Sequence, residues 1–201
     1  MNRFYLIRHG EKDSPEDILA GRTPGVLLTP RGQQQANELA EFLAPAAIQH
    51  VFSSPLERAH ATAEAIARIL GLPVKTSDAF NEIDFGTWTN RSITSLEGDS
   101  VWSAFNSDRS KTRIPAGETT REIQQRFLSK MVELQKLHPG AEIVIVSHAE
   151  PIRAALLHFM RASLDDWSGL EIAVASISII DVDTRYSRIF YVNHTLSPRR
   201  V

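Results

Sequence analysis

Three short apolar runs in this chain each end abruptly in polar residues that open a helix, and this repeated arrangement limits the fold more than any other feature. Phe4 to Ile7 has the aromatic and branched composition of a buried strand and runs straight into Arg8-His9-Gly10. Ile48 to Ser53 reads as a second strand and meets Ser54-Pro55-Leu56-Glu57. Glu142 to Val146 reads as a third and meets Ser147-His148-Ala149. Strands alternating with helices predict an α/β fold, a three-layer sandwich with a mainly parallel central sheet flanked by helices. In such sheets ligands bind beyond the carboxyl ends of the strands, where all three polar runs fall.

The segments between supply the helices. Thr29-Pro30 pairs a cap with a first-turn proline, and Ala36, Leu39, Ala40 and Leu43 then share one face. Ser54 to Glu57 has the form of a capping box ahead of a helix through Ala59, Ala63, Ile66, Ala67 and Leu70 that stops near Gly71. Thr119 and Glu122 form another, ahead of the stripe Ile123, Phe127, Met131, Leu134 and Leu137, read as core rather than ligand contact. A helix from about Glu150 to Met160 follows Ala149, and Ile172 to Val182 and Arg188 to Val192 read as two final strands joined by a polar turn. Residues 80–117 mix Gly, Asn, Ser and Asp with Phe85, Trp88, Trp102 and Phe105. They predict an irregular insertion over the active site, its aromatics either touching a leaving group or forming a small core of their own.

Composition removes several functional classes. With no repeat or linker, the 201 residues are expected to form a single domain, 1–201. A formal net charge of −2 gives no reason to expect nucleic acid or an anionic membrane as partner. The absence of cysteine excludes disulfides, thiolate metal sites and a cysteine nucleophile. No apolar run is long enough to span a bilayer and the N-terminus lacks a signal-type apolar segment, so a soluble cytoplasmic protein is expected. Nothing in the sequence sets an oligomeric state.

If the strands are parallel neighbours, Arg8, His9, Arg58 and His148 converge on one edge, beside helix N-termini that favour anions. Arg58 and Thr62 lie one turn apart on the same helix face. This is the outline of a phosphate pocket, for which arginine is the suited residue type. Each residue alone has an ordinary reading, as a turn histidine, a solvated arginine or a surface carboxylate. The other histidines, His50, His60, His138, His158 and His194, are read that way. It is the joint pattern that points to a site.

Taken in order, Leu6-Ile7-Arg8-His9-Gly10-Glu11, Leu28-Thr29 with Gly32 and Ala36, Ser53 to Ala59 with Thr62-Ala63, Asn81 to Trp88, Pro115 to Thr119, and Val146 to Ala149 with Ile152-Arg153-Ala154 resemble the histidine phosphatase superfamily, also called phosphoglycerate mutase-like, over nearly the whole chain. The resemblance implies a metal-independent phosphomonoester hydrolase, of the histidine-type acid or broad-specificity phosphatases, that needs no cofactor and acts on a small phosphorylated substrate. His9 would be the nucleophile and form a phosphohistidine. Arg8, Arg58 and His148 would hold the phosphoryl oxygens, with Ala149 also at the substrate. Glu82 would be the general acid and base, Glu118 being the second candidate, and Arg22 would guide the anion in. Neutral imidazole, with a pKa of about 6.5, is available as a nucleophile near neutrality without a metal. Gly10 is read as leaving space for phosphate to approach the backbone.

The chain departs from that family pattern at several points. Many members carry a threonine and then a Trp-Asn pair after the first motif, the Asn being a phosphate contact; here Lys12 and Ser14-Pro15 stand there, so that contact is missing or comes from elsewhere. Asn90 stands where glycine is common, and Gly21-Arg22-Thr23-Pro24-Gly25 resembles a phosphatase-like subgroup more than the mutases. The alternatives are a phosphoglycerate mutase-type phosphoryl transfer, for which the chain looks short, and a non-catalytic phospho-ligand-binding member of the fold. Ile179 to Thr184 also resembles the aspartate motif of haloacid dehalogenase phosphatases. That chemistry needs a downstream lysine and an acidic pair, absent from the seventeen residues that follow, so the segment is read as a hairpin turn.

Overall fold

A computed structural model describes residues 1–196. Its six strands, β1 (Asn2–Arg8), β2 (Ile48–Ser53), β3 (Val74–Thr76), β4 (Glu142–Ser147), β5 (Ile177–Val182) and β6 (Ser187–His194), form one sheet in the order β3-β2-β4-β1-β5-β6. The first four pair in parallel, and β5 and β6 add an antiparallel edge. Five α-helices, α1 (Pro30–Leu43), α2 (Glu57–Leu70), α3 (Ser100–Ser107), α4 (Thr120–Leu137) and α5 (Ala149–Met160), complete the α/β architecture.

Both faces of the sheet are covered, because side chains alternate along the central strands. Tyr5, Ile7, Val144 and Val146 pack against Leu39, Leu43, Ala63 and Ile66 of α1 and α2. Phe4, Leu6, Ile143 and Ile145 point the other way, onto Phe127, Met131, Ile152 and Leu156 of α4 and α5. After β1 the chain moves toward β2, whereas after β4 it moves toward β5. Neighbouring strands whose connections leave in opposite directions create a crevice at their carboxyl ends. In register, Arg8 lies beside Ser147 and Ser53 beside Val146, so the three polar runs finish level.

Several boundaries differ from the sequence reading. β5 begins at Ile177 rather than Ile172, because residues 172–176 turn at the crevice: Ala175 has φ 52° and donates to the His9 carbonyl at 3.0 Å. The Ser54 box does not cap α2, whose cap residue is Leu56 with no side-chain bond; Ser54 is used inside the site instead. The caps at Thr29 and Thr119 form as expected. Trp88 and Phe105 are buried with Ile83, Leu96, Ile114 and Ile123, so the insertion's aromatics build its own core rather than a substrate wall. Asn90 takes φ 63°, a conformation asparagine tolerates and glycine would otherwise supply. Asp181 is buried against Arg3 at 2.7 Å and Asp183 accepts from the Thr184 amide, which completes the hairpin reading.

Gly10 needs its missing side chain for a different reason from the one expected. A Cβ on Gly10 would lie 2.5 Å from the Gly32 carbonyl oxygen, and one on Gly32 would lie 2.1 Å from that of Glu11. The crowding comes from the start of α1, pressed backbone to backbone against the β1 loop, with Thr29 Oγ1 donating to Glu11 Oε1 at 2.7 Å. Neither partner is a flexible side chain that can move aside. Gly32→Ala is therefore expected to cost about 3 kcal/mol, seen as a lower urea midpoint with an unchanged slope.

Candidate active site

His9 sits immediately beyond β1, buried, with its amide donating to the Ser147 carbonyl at 3.1 Å. Its Nδ1 lies 2.7 Å from the Gly10 carbonyl, which can only accept, so Nδ1 carries the proton and Nε2 the lone pair. Arg58, buried on the first turn of α2, donates from Nε to that lone pair at 3.3 Å and from Nη2 to the Gly21 carbonyl at 2.7 Å. Thr62, one turn on, accepts from the Gly10 amide at 3.2 Å and donates to the Arg58 carbonyl. Arg8 donates to the Ile172 carbonyl at 2.6 Å. His148, buried as the cap residue of α5, places its ring 5.0 Å from that of His9, edge to face. Ala149 follows as the first residue of α5, where helix N–H groups have no intrahelical acceptor.

Three buried atoms around His9 have no hydrogen-bond partner among the described residues: Arg8 Nε, Arg58 Nη1 and His148 Nδ1. Both guanidiniums are held by main-chain carbonyls rather than by carboxylates, so their charge is not neutralised locally. Burial, followed by the charges of Arg8 and Arg58, holds the His9 imidazole well below the ordinary histidine range. Burial and then His9, Arg58, Arg8 and Arg126 do the same to His148. A dianion at this point would meet the two unsatisfied guanidinium N–H groups and an excess of positive charge.

Glu82 lies beside this group with Oε1 accepting from the Ile83 amide at 2.9 Å. Burial first, and then the Glu150 carboxylate, raises its carboxyl pKa against the opposing pull of Arg58 and Arg8. Glu118 is differently placed. It receives Arg22 Nη2 at 2.8 Å, Arg126 Nε and Nη2 at 3.1 Å and the Asp84 amide at 3.1 Å. Arg22 is thus taken up by protein partners, its Nε donating to the Glu82 carbonyl at 2.9 Å beside Arg126 Nη2 at 3.1 Å. Through these bonds it holds the Glu82 backbone in place.

Sequence reasoning passed over three contributors. Ser54 bonds to His148 and to Asn81, which thereby stands behind it, but hydroxyl and amide side chains are too common to stand out without the fold. Lys12, noted only as a departure, lies close enough to Arg58 and Arg8 that burial and those charges lower its pKa. Its Nζ is 3.3 Å from the Pro15 carbonyl. Among the described residues no group of three or more His, Cys, Asp or Glu could hold a metal ion, and no helix is long and apolar enough to cross a membrane.

This sheet, with two histidines and two arginines at its switch point, is the arrangement of a phosphoryl-binding α/β enzyme. The model of the histidine phosphatase superfamily (branch 1) matches residues 4–195, and the chain belongs to that family. It is 29% identical over 201 residues to phosphoserine phosphatase 1 of Hydrogenobacter thermophilus, covering 97% of this chain and 93% of that protein. It is 30% identical over 191 residues to a probable phosphoglycerate mutase of Salmonella arizonae, covering 94% and 87%. A histidine-to-alanine mutant of phosphoserine phosphatase from Entamoeba histolytica, solved with phosphoserine, superposes with a TM-score of 0.89 at 27% identity over 98% of both chains.

Two measurements follow from the site's electrostatics. As pH falls below about 6.5, the unfolded chain protonates at the positions of His9 and His148 while the folded protein does not. The unliganded protein should therefore lose stability from neutral pH downward, by up to about 1.4 kcal/mol per pH unit per histidine. Glu82, with its raised pKa, acts in the opposite sense in the acid range, so the contribution of His148 is read as the smaller slope of His148→Gln. Glu118→Ala would strand two guanidiniums. The carboxylate is 21% exposed, so the expected cost is about 2 kcal/mol, below the 3–5 kcal/mol typical of fully buried pairs, measured by denaturant unfolding.

Proposed function

We propose that the chain hydrolyses small phosphomonoesters through a phosphohistidine on His9. The observation that carries this reading is the gathering at His9 of two guanidiniums with buried, unpartnered N–H groups, Arg8 Nε and Arg58 Nη1, together with the buried His148 ring. Such atoms would cost stability in a purely structural pocket, and a phosphoryl group would satisfy them. His9 Nε2 attacks phosphorus as the ester P–O bond breaks, and Glu82 gives its proton to the leaving alkoxide. The Glu82 carboxylate then takes a proton from water, whose oxygen attacks phosphorus and breaks the P–N bond. Phosphate leaves, and His9 returns neutral and Glu82 protonated. The raised pKa of Glu82 suits it to both roles. Glu118, committed to two arginines, does not suit them.

The space beside the site favours a polar leaving group. A cavity of about 740 Å³ opens from Arg8 and is lined by Lys12, Glu11 and Glu16 among others. The names of the relatives, phosphoserine phosphatase among them, agree with a small polar phosphomonoester.

His9→Ala is expected to reduce hydrolysis of an aryl phosphate at least about a thousandfold, while chelators leave the wild-type rate unchanged. Glu82→Gln should slow alkyl phosphates by about a hundredfold or more and nitrophenyl phosphate far less, because that leaving group needs no proton. An undiminished rate in His9→Ala would remove the nucleophile assignment. Phosphoryl exchange between mono- and diphosphoglycerate exceeding phosphate release would favour the mutase reading. Phosphate binding without turnover would favour the non-catalytic one.

A further inference from the structure

The proton positions around His148 follow from its partners. Asn81 Nδ2 donates to Asp78 Oδ1 at 3.1 Å, which turns the amide oxygen toward Ser54. Ser54 Oγ donates its only proton to that oxygen at 2.8 Å. Having spent it, the hydroxyl can only accept, and it does so from the Leu56 amide at 3.2 Å and from His148 Nε2 at 2.8 Å. All of Ser54, Asn81 and His148 are buried, so no solvent offers an alternative partner. His148 is therefore protonated on Nε2, and the buried, unpartnered Nδ1 is a lone pair, on a ring 5.0 Å from that of His9. A phosphoryl oxygen brought to that lone pair would be repelled by it.

We infer that the Ser54–Asn81–Asp78 chain fixes His148 as its Nε2–H tautomer, so that this ring holds an oxyanion only after taking a proton on Nδ1, and that anion binding at the site is coupled to proton uptake. Ser54, Asn81 and Asp78 are positioning residues in this account. The coupling rests on the reading that the oxyanion lies between His9 and His148. The tautomer does not.

The charged and titratable groups around the ring fit this sequence of events. Arg8 and His9 face it from the end of β1, Arg58 from α2 and Arg126 from α4, and together with burial they keep it unprotonated while the pocket is empty. Glu82 is the carboxylate that pulls most strongly on Arg8 and Arg58, and its raised pKa limits how far it offsets them. A dianion reverses the sign of the local field, and Nδ1 then becomes the remaining position from which a hydrogen bond to it can be made. The phosphoryl group would so recruit its own third donor.

Nitrogen NMR of histidine-labelled protein reads the ring directly. In the unliganded wild type the His148 signals should show hydrogen on Nε2 and a bare Nδ1; hydrogen on Nδ1 would overturn the tautomer assignment and the coupling derived from it. Sulfate, which carries no proton of its own near neutrality, is the probe for the coupling. Titration calorimetry in buffers of different ionisation enthalpy should show uptake of about one proton per sulfate bound, with affinity falling about tenfold per pH unit on the alkaline side. His148 should become doubly protonated in the complex. In Ser54→Ala, or in Asn81→Ala should that variant fold better, the ring is free to carry its proton on Nδ1. Uptake should then fall toward zero and the pH dependence of binding should flatten. Sulfate binding to wild type without proton uptake, or uptake unchanged in both variants, would overturn the coupling. Failure of sulfate and phosphate to bind at all would overturn the coupling and the phosphatase reading together, with the tautomer result still standing.

Discussion

The site depends on the parallel pairing of β1 with β4 in a register that sets Arg8 beside Ser147. One residue further along each strand come His9 and His148, which the strand pairing brings to a ring separation of 5.0 Å although they lie 139 positions apart in the chain (148 minus 9). A slip by one residue would turn Phe4 and Leu6 to the opposite face and both histidines away from the crevice. The alternating cores on the two faces oppose that slip, so the packing that stabilises the fold also fixes the spacing of the reactive groups. Helices α2 and α5 then start at the same edge and add Arg58 and Ala149.

What this edge assembles is a concentration of positive charge without its counterion. Taking a guanidinium out of water costs several kcal/mol unless it is paired. Elsewhere the protein pairs its buried arginines with acids, as in Arg109 with Glu150 and Arg126 with Glu118. At His9 it does not, and the carboxyl that acts most strongly on these arginines, that of Glu82, is itself biased toward its neutral form. Such a site is costly on its own and is carried by the packed core around it, and it favours binding of a group that brings negative charge.

Much of this was legible in the sequence because strand ends are marked by composition. The change from Leu6-Ile7 to Arg8-His9, and from Val146 to Ser147-His148, located the crevice before any coordinates. The less legible parts depend on residues whose partners lie far away in the chain. Ser54 looks like a helix cap by its spacing to Glu57, and only the approach of His148 and Asn81 draws it into the pocket. Arg22 looks like a free loop cation until Glu118, 96 residues away, takes its Nη2. The aromatics of the insertion are equally ambiguous in sequence, since a small core and a substrate wall call for the same side chains. The reason for Gly10 was misjudged because the obstructing atom belongs to the backbone of another segment.

Arg8 and Arg58 are each held by a main-chain oxygen, from Ile172 and Gly21 respectively. Every residue type carries such an oxygen, so the clamp itself asks nothing of the neighbouring side chains; Ile172 is kept by its place in the core, while the adjoining cavity-lining positions can change their chemistry with the guanidinium still in place. The segments following α5 and preceding α1 border the cavity that opens from Arg8, the same region in which a leaving group would be distinguished. Diversification of substrate preference and preservation of the phosphoryl centre are thereby assigned to different parts of the chain around Arg8, side chains at the cavity for the first and backbone oxygens for the second.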